Sequence, residues 1–176
     1  MYKIVIDSDK ILEIDNLVFQ NSSLNKAAVD AINLKLPKGD DNSINMEEIQ
    51  RAIVPIIKNV DIFFSYSHDD KDKVEKMAQY FINLGYKVFL DSLFWKSIDK
   101  ELDEYNNRYN KNDDNTFNYQ KDKLSSSTFN MILTDSIVET VRNSSVFIFV
   151  KSKKSVKDSR TFSPWIYLEN KIAKTM

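Results

Sequence analysis

The chain of 176 residues contains no cysteine, two glycines and a single histidine. The lack of cysteine excludes disulfides, zinc–thiolate sites and a cysteine nucleophile, and it is compatible with the cytosol. One histidine cannot form a multi-histidine metal site. Two glycines are too few for either common glycine-rich phosphate loop, so a nucleotide must be held by another device.

Long apolar runs and an excess of charge are also missing. No run approaches the ~18 apolar residues of a membrane span, and the N-terminus lacks the basic start and long apolar core of a signal peptide. The net charge of -1 creates no overall field that favours nucleic acid or an anionic membrane. The sequence therefore predicts a cytoplasmic globular protein with no nucleic-acid partner and no membrane partner.

Residues 61–95 give the clearest structural pattern, a strand followed by a helix and a second strand. The apolar run within residues 61–67 is typical of a strand buried on both faces of a parallel sheet. Apolar residues then recur at helical spacing, with Asp69 or Asp70 as the predicted cap. Gly85 fits the end of this helix, because glycine adopts the left-handed C-terminal conformation at little cost.

Two further strands extend the predicted sheet. Residues 86–90 form one, which Asp91 closes, and residues 145–150 form another. The carboxyl ends of such strands lie at the edge where open α/β sheets bind ligands. The segment between them is assigned to a helix, an exposed polar loop and a second helix capped by Thr128, in the order 96–109, 110–127 and 128–142. A last helix starts at Ser163 and Pro164.

Residues 1–58 are predicted to form an N-terminal α+β extension or a small helical subdomain. Its elements are a strand at 2–7 and helices at 22–33 and 45–58, the last capped by Asn45. Two stretches have no clear element: residues 10–20 are ambiguous between strand and helix, and residues 34–45 have the composition of a linker.

Four motifs in this order resemble one family, the TIR (Toll/interleukin-1 receptor) domain in its bacterial form. DIFFSYSHDDKD is similar to the family's first strand and following loop, and GYKVFLD to its second strand. VFIFVKSKKSV followed by SPWIYLEN is similar to the third strand, loop and next helix. The resemblance covers residues 59–176 as a TIR-like domain, with residues 92–127 as an insertion after the second strand.

The resemblance implies a flavodoxin-like fold, with a parallel sheet of five strands flanked by helices. The chain ends inside the helix after the third strand, so the fourth and fifth strands have no counterpart. Three explanations follow: the chain is a fragment, a strand such as residues 2–7 occupies the vacated edge, or a partner completes the sheet. An exposed edge is prone to pairing with another chain.

Many TIR domains cleave the nicotinamide–ribose bond of NAD, and in these a glutamate lies four residues after a tryptophan. The matching residues here are Glu169 and Trp165. The resemblance therefore implies an NAD+ glycohydrolase that takes NAD as its substrate and needs no cofactor, with a role in anti-phage defence or NAD-derived signalling.

The chemistry requires one carboxylate near the ribose, because breaking the bond to a cationic nicotinamide leaves positive charge on the sugar. Glu169 is the predicted catalytic residue. The predicted substrate-binding residues follow the first two strands of the TIR-like domain or lie on the last helix: Tyr66, Ser67, Asp91, Phe94, Trp95 and Trp165. Lysines 151, 153 and 154 could neutralise a pyrophosphate.

Each of these residues also has an ordinary structural interpretation. Glu169 could lie on a solvated helix face, Trp165 could belong to the core, and Phe94 and Trp95 could pack the insertion onto the sheet. His68 could hydrogen-bond within a turn, and the lysines could belong to a solvated loop.

Two other functions remain open from the sequence. The protein could be a non-catalytic TIR module that assembles with itself or with another TIR or effector protein, since assembly in the family uses the loop after the second strand. It could also be a sensor that binds NAD-like nucleotides without turnover.

Overall fold

A computed structural model describes residues 1–11, 23–36, 44–114, 116–157, 160–161 and 163–176. The predictions for residues 12–20 and 37–43 lie outside these ranges. The described elements are, in chain order, β1 (Tyr2–Asp7), α1 (Ser23–Lys35), α2 (Met46–Ile57), β2 (Ile62–Ser65), α3 (Lys71–Asn83), β3 (Val88–Leu90), α4 (Asp91–Tyr109), α5 (Tyr119–Asn143), β4 (Val146–Lys151) and α6 (Pro164–Thr175). No helix in the described ranges has the length and apolar character needed to cross a membrane.

The strands form one parallel sheet in the order β1-β4-β2-β3. Phe63 of the central strand β2 pairs with Phe89 on one side and Phe147 on the other. This arrangement confirms the predicted α/β class, a flavodoxin-like parallel sheet flanked by helices.

The N-terminal strand completes one edge of this sheet. β1 pairs with β4 in parallel from Tyr2 opposite Val146 to Asp7 opposite Lys151. Of the three explanations for the missing strands, the structure bears out the one in which residues 2–7 occupy the edge beyond the third strand of the TIR-like region. The N-terminal segment and residues 59–176 share a single sheet.

Alternating side chains give the sheet two apolar faces. Phe63 stacks between Phe89 and Phe147, with ring centroids 5.7 Å apart in both pairs. This face packs against α1, α2, α4, α5 and α6, whereas Phe64 and Leu90 face α3. Each fully buried phenylalanine contributes about 1.5–3 kcal/mol of transfer free energy, so the two faces hold the strand ends in a fixed relation.

Local signals define several helix ends as predicted. Asn45 Oδ1 accepts a hydrogen bond from the Glu48 N–H at 3.2 Å, and Ser163 Oγ accepts one from the Ile166 N–H at 3.3 Å. Gly85 has φ of 91°, the left-handed conformation expected after α3.

The prediction of an exposed loop over residues 110–127 is wrong from residue 119 onward, because α5 begins at Tyr119. Asn118 caps it by accepting a hydrogen bond from the Lys121 N–H at 3.2 Å. Thr128 is therefore inside the helix, where its hydroxyl donates to the Leu124 carbonyl at 2.9 Å. The serine-rich sequence is helical here because Ser125 is buried in a polar contact with α4.

One other predicted boundary changes, and one predicted capping bond is absent. Helix α4 begins at Asp91 rather than at residue 96. Asp70 occupies the N-cap position of α3, but its side chain makes no capping bond. Its carboxylate instead accepts a hydrogen bond from the Ser152 hydroxyl at 2.5 Å, which ties the loop after β4 to the start of α3.

Candidate active site

The carboxyl ends of β2 and β3 bring polar residues together as the parallel sheet predicts. Phe64 pairs with Leu90, so the residues that follow them, Ser65 and Asp91, lie at the same edge. Helix α6 packs against β2 and brings Glu169 to this point. The Glu169 carboxyl lies close enough to both Ser65 and Asp91 for each to alter its pKa.

Glu169 and Asp91 form a buried carboxyl pair. Glu169 has 0% of its surface exposed and Asp91 has 4%. No hydrogen bond of normal geometry joins either oxygen of Glu169, Asp91 Oδ1 or Ser65 Oγ to another described residue. Ser65 and Asp91 nevertheless lie near enough to interact with the Glu169 carboxyl, so the group is close to its neighbours but poorly paired with them. Buried carboxyl groups are normally paired or hydrogen-bonded, so this pair is an exception that calls for an explanation.

Burial determines the protonation of the pair. It raises the pKa of Asp91 to about 7, although a hydrogen bond from the Ser92 backbone opposes this effect. Burial, followed by the negative charge of Asp91, raises the pKa of Glu169 well above its usual value, and the Ser65 hydroxyl opposes this increase. At neutral pH the pair therefore retains a proton.

A cavity of about 430 Å³ opens beside the pair. This volume lies within the range typical of small-molecule sites. Its lining residues come from the ends of β2 and β3 and from α4 and α6: Tyr66, His68, Asp91, Ser92, Trp95, Lys96, Asp99, Ser163, Trp165 and Ile166. Asp91 thus connects the cavity with Glu169, which is buried beyond it.

Aromatic side chains form much of the cavity wall. The rings of Trp95 and Trp165 are in contact, with centroids 3.8 Å apart and planes inclined by 46°. Trp95 Nε1 is buried and has no hydrogen-bond partner in the described part of the chain, so one donor next to the cavity is unused. The Tyr66 hydroxyl is hydrogen-bonded to the Ser92 hydroxyl, and burial raises its pKa, which keeps the phenol neutral.

The structure brings most of the predicted site residues together. Tyr66, Asp91, Trp95 and Trp165 line the cavity, and Glu169 adjoins Asp91. The alternative that Glu169 lies on a solvated helix face is wrong, because its side chain is fully buried.

Two predicted substrate-binding residues do not line this cavity. Phe94 is fully buried in the core, where its ring centroid lies 5.4 Å from that of Phe89. Ser67 is half-buried and is not part of the wall. In both cases the adjacent residues, Tyr66 and Trp95, have side chains at the cavity instead.

The basic loop after β4 is also separate from the cavity wall. Lysines 151, 153 and 154 are exposed, and Lys154 Nζ lies 3.8 Å from a carboxylate oxygen of Asp69. His68 is exposed at the cavity mouth. In the described part of the chain, no group of three or more acidic or histidine side chains is arranged to hold a metal ion.

The sequence interpretation missed the contribution of one face of α4. Ser92, Trp95, Lys96 and Asp99 all line the cavity and follow helical spacing. Starting the predicted helix at Asp91 would have revealed this pattern. Ser65 was also missed, although a hydroxyl at the end of an otherwise apolar strand marks the carboxyl edge of the sheet.

The arrangement is suited to a planar cationic group. Two tryptophan side chains line the cavity, and the acidic side chains of Asp91 and Asp99 outnumber the one lysine of the wall, Lys96. A positive charge placed there would favour ionisation of the carboxyl pair. Comparisons of the chain with protein-family models, curated proteins and solved structures give no significant match.

Proposed function

We propose that this protein is a TIR-like NAD+ glycohydrolase, in which Glu169 is the catalytic carboxylate. The observation that carries the proposal is the burial of Glu169, with no hydrogen bond of normal geometry to any residue that the structure describes, next to Asp91 and an aromatic cavity. An unpartnered buried acid costs stability and is typical of sites where a ligand or a reaction uses it. The TIR resemblance, which places a catalytic glutamate at this position, supports the same role.

The nicotinamide end of NAD+ matches the cavity. Its pyridinium ring is planar and positively charged, so the faces of Trp95 and Trp165 can hold it. The Trp95 indole N–H can donate to the carboxamide oxygen of the substrate. Asp99, and Asp91 once it is ionised, attract the positive charge of the ring and oppose the repulsion from Lys96 on the same wall.

In the proposed reaction the bond between C1′ of the ribose and the ring nitrogen breaks. Its electron pair stays on the nitrogen, which makes nicotinamide a neutral leaving group. Ionised Glu169 stabilises the positive charge that develops on the ribose. Water then attacks C1′ and transfers its proton to the carboxylate of Asp91, so the products are nicotinamide, ADP-ribose and one proton.

The Asp91–Glu169 pair holds a proton at neutral pH, so the pair must lose this proton when the substrate binds. The positive charge of the pyridinium lowers the pKa of a nearby carboxyl, so binding favours release of this proton and leaves Glu169 ionised. Because Glu169 is fully buried, the ribose reaches it only after the side chains around the cavity have moved.

Nicotinamide release from NAD+ tests the proposal. The full chain is assayed at high protein concentration together with Glu169→Gln and Glu47→Gln, the latter a substitution of a solvent-facing glutamate of α2. We expect Glu169→Gln to lower kcat by about 10³-fold, because it removes the charge that stabilises the transition state. Glu47→Gln should leave the rate unchanged. A wild-type protein that releases no nicotinamide at any concentration would overturn the proposal.

The full burial of Glu169 also favours a second function, binding of NAD-like nucleotides without turnover. Calorimetry with NAD+ and with ADP-ribose separates the two functions. Binding of NAD+ without nicotinamide release indicates a sensor, whereas release that depends on Glu169 indicates the hydrolase. A role in anti-phage defence or in NAD-derived signalling is consistent with either function.

A further inference from the structure

The edge strand β1 exposes apolar side chains on both faces of the sheet. Tyr2 is 77% exposed, Ile4 43% and Val5 56%. Among the described residues, none pairs with the outer edge of β1. Exposed edges are usually protected by charge, proline or a covering element, so an edge with this composition is suited to pairing with another strand.

The register with β4 determines which backbone groups face outward. The Tyr2 N–H donates to the Ser145 carbonyl at 2.8 Å, so the even-numbered residues of β1 direct their N–H and C=O groups toward β4. Because these directions alternate along a strand, the backbone groups of Lys3, Val5 and Asp7 point to the open edge. They are available as donors and acceptors for another strand.

We propose that β1 pairs with β1 of a second copy of this chain, in an antiparallel arrangement that continues the sheet across a two-fold axis. Val5 lies opposite Val5 of the second copy, and Lys3 lies opposite Asp7 of the second copy. Each of these pairs exchanges two backbone hydrogen bonds. On the other face of the sheet Ile4 packs against Ile6 of the second copy, so the exposed apolar residues become covered.

Charge complementarity supports this register and this partner. Lys3 and Lys174 lie near each other on one face, and burial together with the charge of Lys174 lowers the pKa of Lys3. Asp7, at the other end of β1, is exposed. In the antiparallel arrangement, Asp7 of each copy lies next to Lys3 and Lys174 of the other copy. The same contact therefore occurs at both ends of the interface. A two-fold interface requires such self-complementarity, which an unrelated strand has no reason to match.

Charge reversal at residue 5 tests both the partner and the register. In sedimentation experiments on the full chain we expect a concentration-dependent dimer, which Val5→Lys alone and Val5→Glu alone each weaken by about tenfold or more, because like charges then face each other. A mixture of the two variants should recover the dimer, since lysine then faces glutamate. Leu84→Lys, at the exposed apolar residue that ends α3, is the matched control and should leave the dimer unchanged.

A cysteine variant keeps the test independent of charge. The chain has no cysteine, so Val5→Cys introduces a single thiol, and Leu84→Cys provides the control. Short thiol cross-linkers should join Val5→Cys subunits at least about tenfold faster than Leu84→Cys subunits, a ratio that equals about 1.4 kcal/mol. A monomeric wild-type protein overturns the proposal, and so do mixed charge variants that remain monomeric.

Discussion

Two buried polar clusters of this protein differ in how well their polar atoms are hydrogen-bonded. Between α4 and α5, the Asn110 side chain donates to Asn106 Oδ1 at 2.7 Å and to Ser125 Oγ at 2.8 Å. Ser125 Oγ also donates to Asn106 Oδ1 at 2.6 Å, and Asn106 donates to Asp122 at 2.6 Å. Beside the cavity, by contrast, Ser65, Asp91 and Glu169 contain four buried oxygen atoms that make no hydrogen bond of normal geometry with the described residues.

The difference separates a structural cluster from a candidate functional one. The amide and hydroxyl groups of the α4–α5 cluster satisfy one another, so they fix the geometry of the helix pair at little cost. In the carboxyl pair, contacts with Ser65 and the Ser92 backbone offset only part of the burial cost, so its burial opposes folding whenever the acids ionise. A cluster that lowers stability is retained more readily where a ligand or a reaction depends on it.

The largest expected effect is on the pH dependence of stability. A carboxyl whose pKa is raised in the folded state binds its proton more tightly there than in the unfolded chain, so stability falls as pH rises between the two pKa values. For Asp91 this range extends from about pH 4 to about pH 7, and for Glu169 it continues to higher pH. Urea unfolding should show a decrease of roughly 1 kcal/mol or more per pH unit in this range.

Replacement of the acids provides the control for this effect. The double variant Asp91→Asn with Glu169→Gln should lose most of the slope and should be more stable than the wild-type protein near pH 8. A wild-type protein with constant stability from pH 4 to pH 8 would mean that the two carboxyl groups ionise without cost. The contrast between the two clusters would then be lost.

The second effect concerns the satisfied cluster. Asn110→Ala removes the donor shared by Asn106 and Ser125 and leaves both partners buried, so we expect a loss of about 2–3 kcal/mol in the free energy of unfolding. Asn107→Ala changes an exposed asparagine of the same helix and should cost less than about 0.5 kcal/mol. The pH slope should remain the same in both variants, and a change in that slope would show that the clusters are coupled.

The predictions that succeeded rest on local patterns. Continuous apolar runs located β2, β3 and β4, and alternation located β1. Single capping residues such as Asn45 and Ser163 located helix starts. Tyr66 and Asp91 follow the carboxyl ends of parallel strands, which predicts that they lie at the same edge of the sheet, and both line one cavity. These features depend on neighbouring residues, so the sequence is sufficient for them. The TIR resemblance and the NAD+ substrate stay predictions.

The features that were missed depend on contacts between distant segments. The start of α5 looks like a loop because its serines and asparagines favour turns, and it is helical because Ser125 bonds across to α4. The burial of Glu169 depends on how α6 packs on β2, which helical periodicity alone does not define. The interaction between Asp91 and Glu169 is likewise visible only in the folded chain.

The smallest expected effect compares two buried serines directly. Ser125→Ala removes a hydroxyl that bonds Asn110 and Asn106, so unfolding should become easier by about 1–2 kcal/mol. Ser65→Ala removes a hydroxyl of similar burial that makes no hydrogen bond of normal geometry with the described residues and that acts on Glu169 only through the ionised carboxylate. At pH 5, where Glu169 is protonated, its stability change should stay within about 0.5 kcal/mol. Because the Ser65 hydroxyl opposes the increase in the pKa of Glu169, its loss should raise that pKa further. The decrease in stability with pH should therefore extend to higher pH in Ser65→Ala but not in Ser125→Ala. If the two substitutions had equal effects, the distinction between the two clusters would be lost.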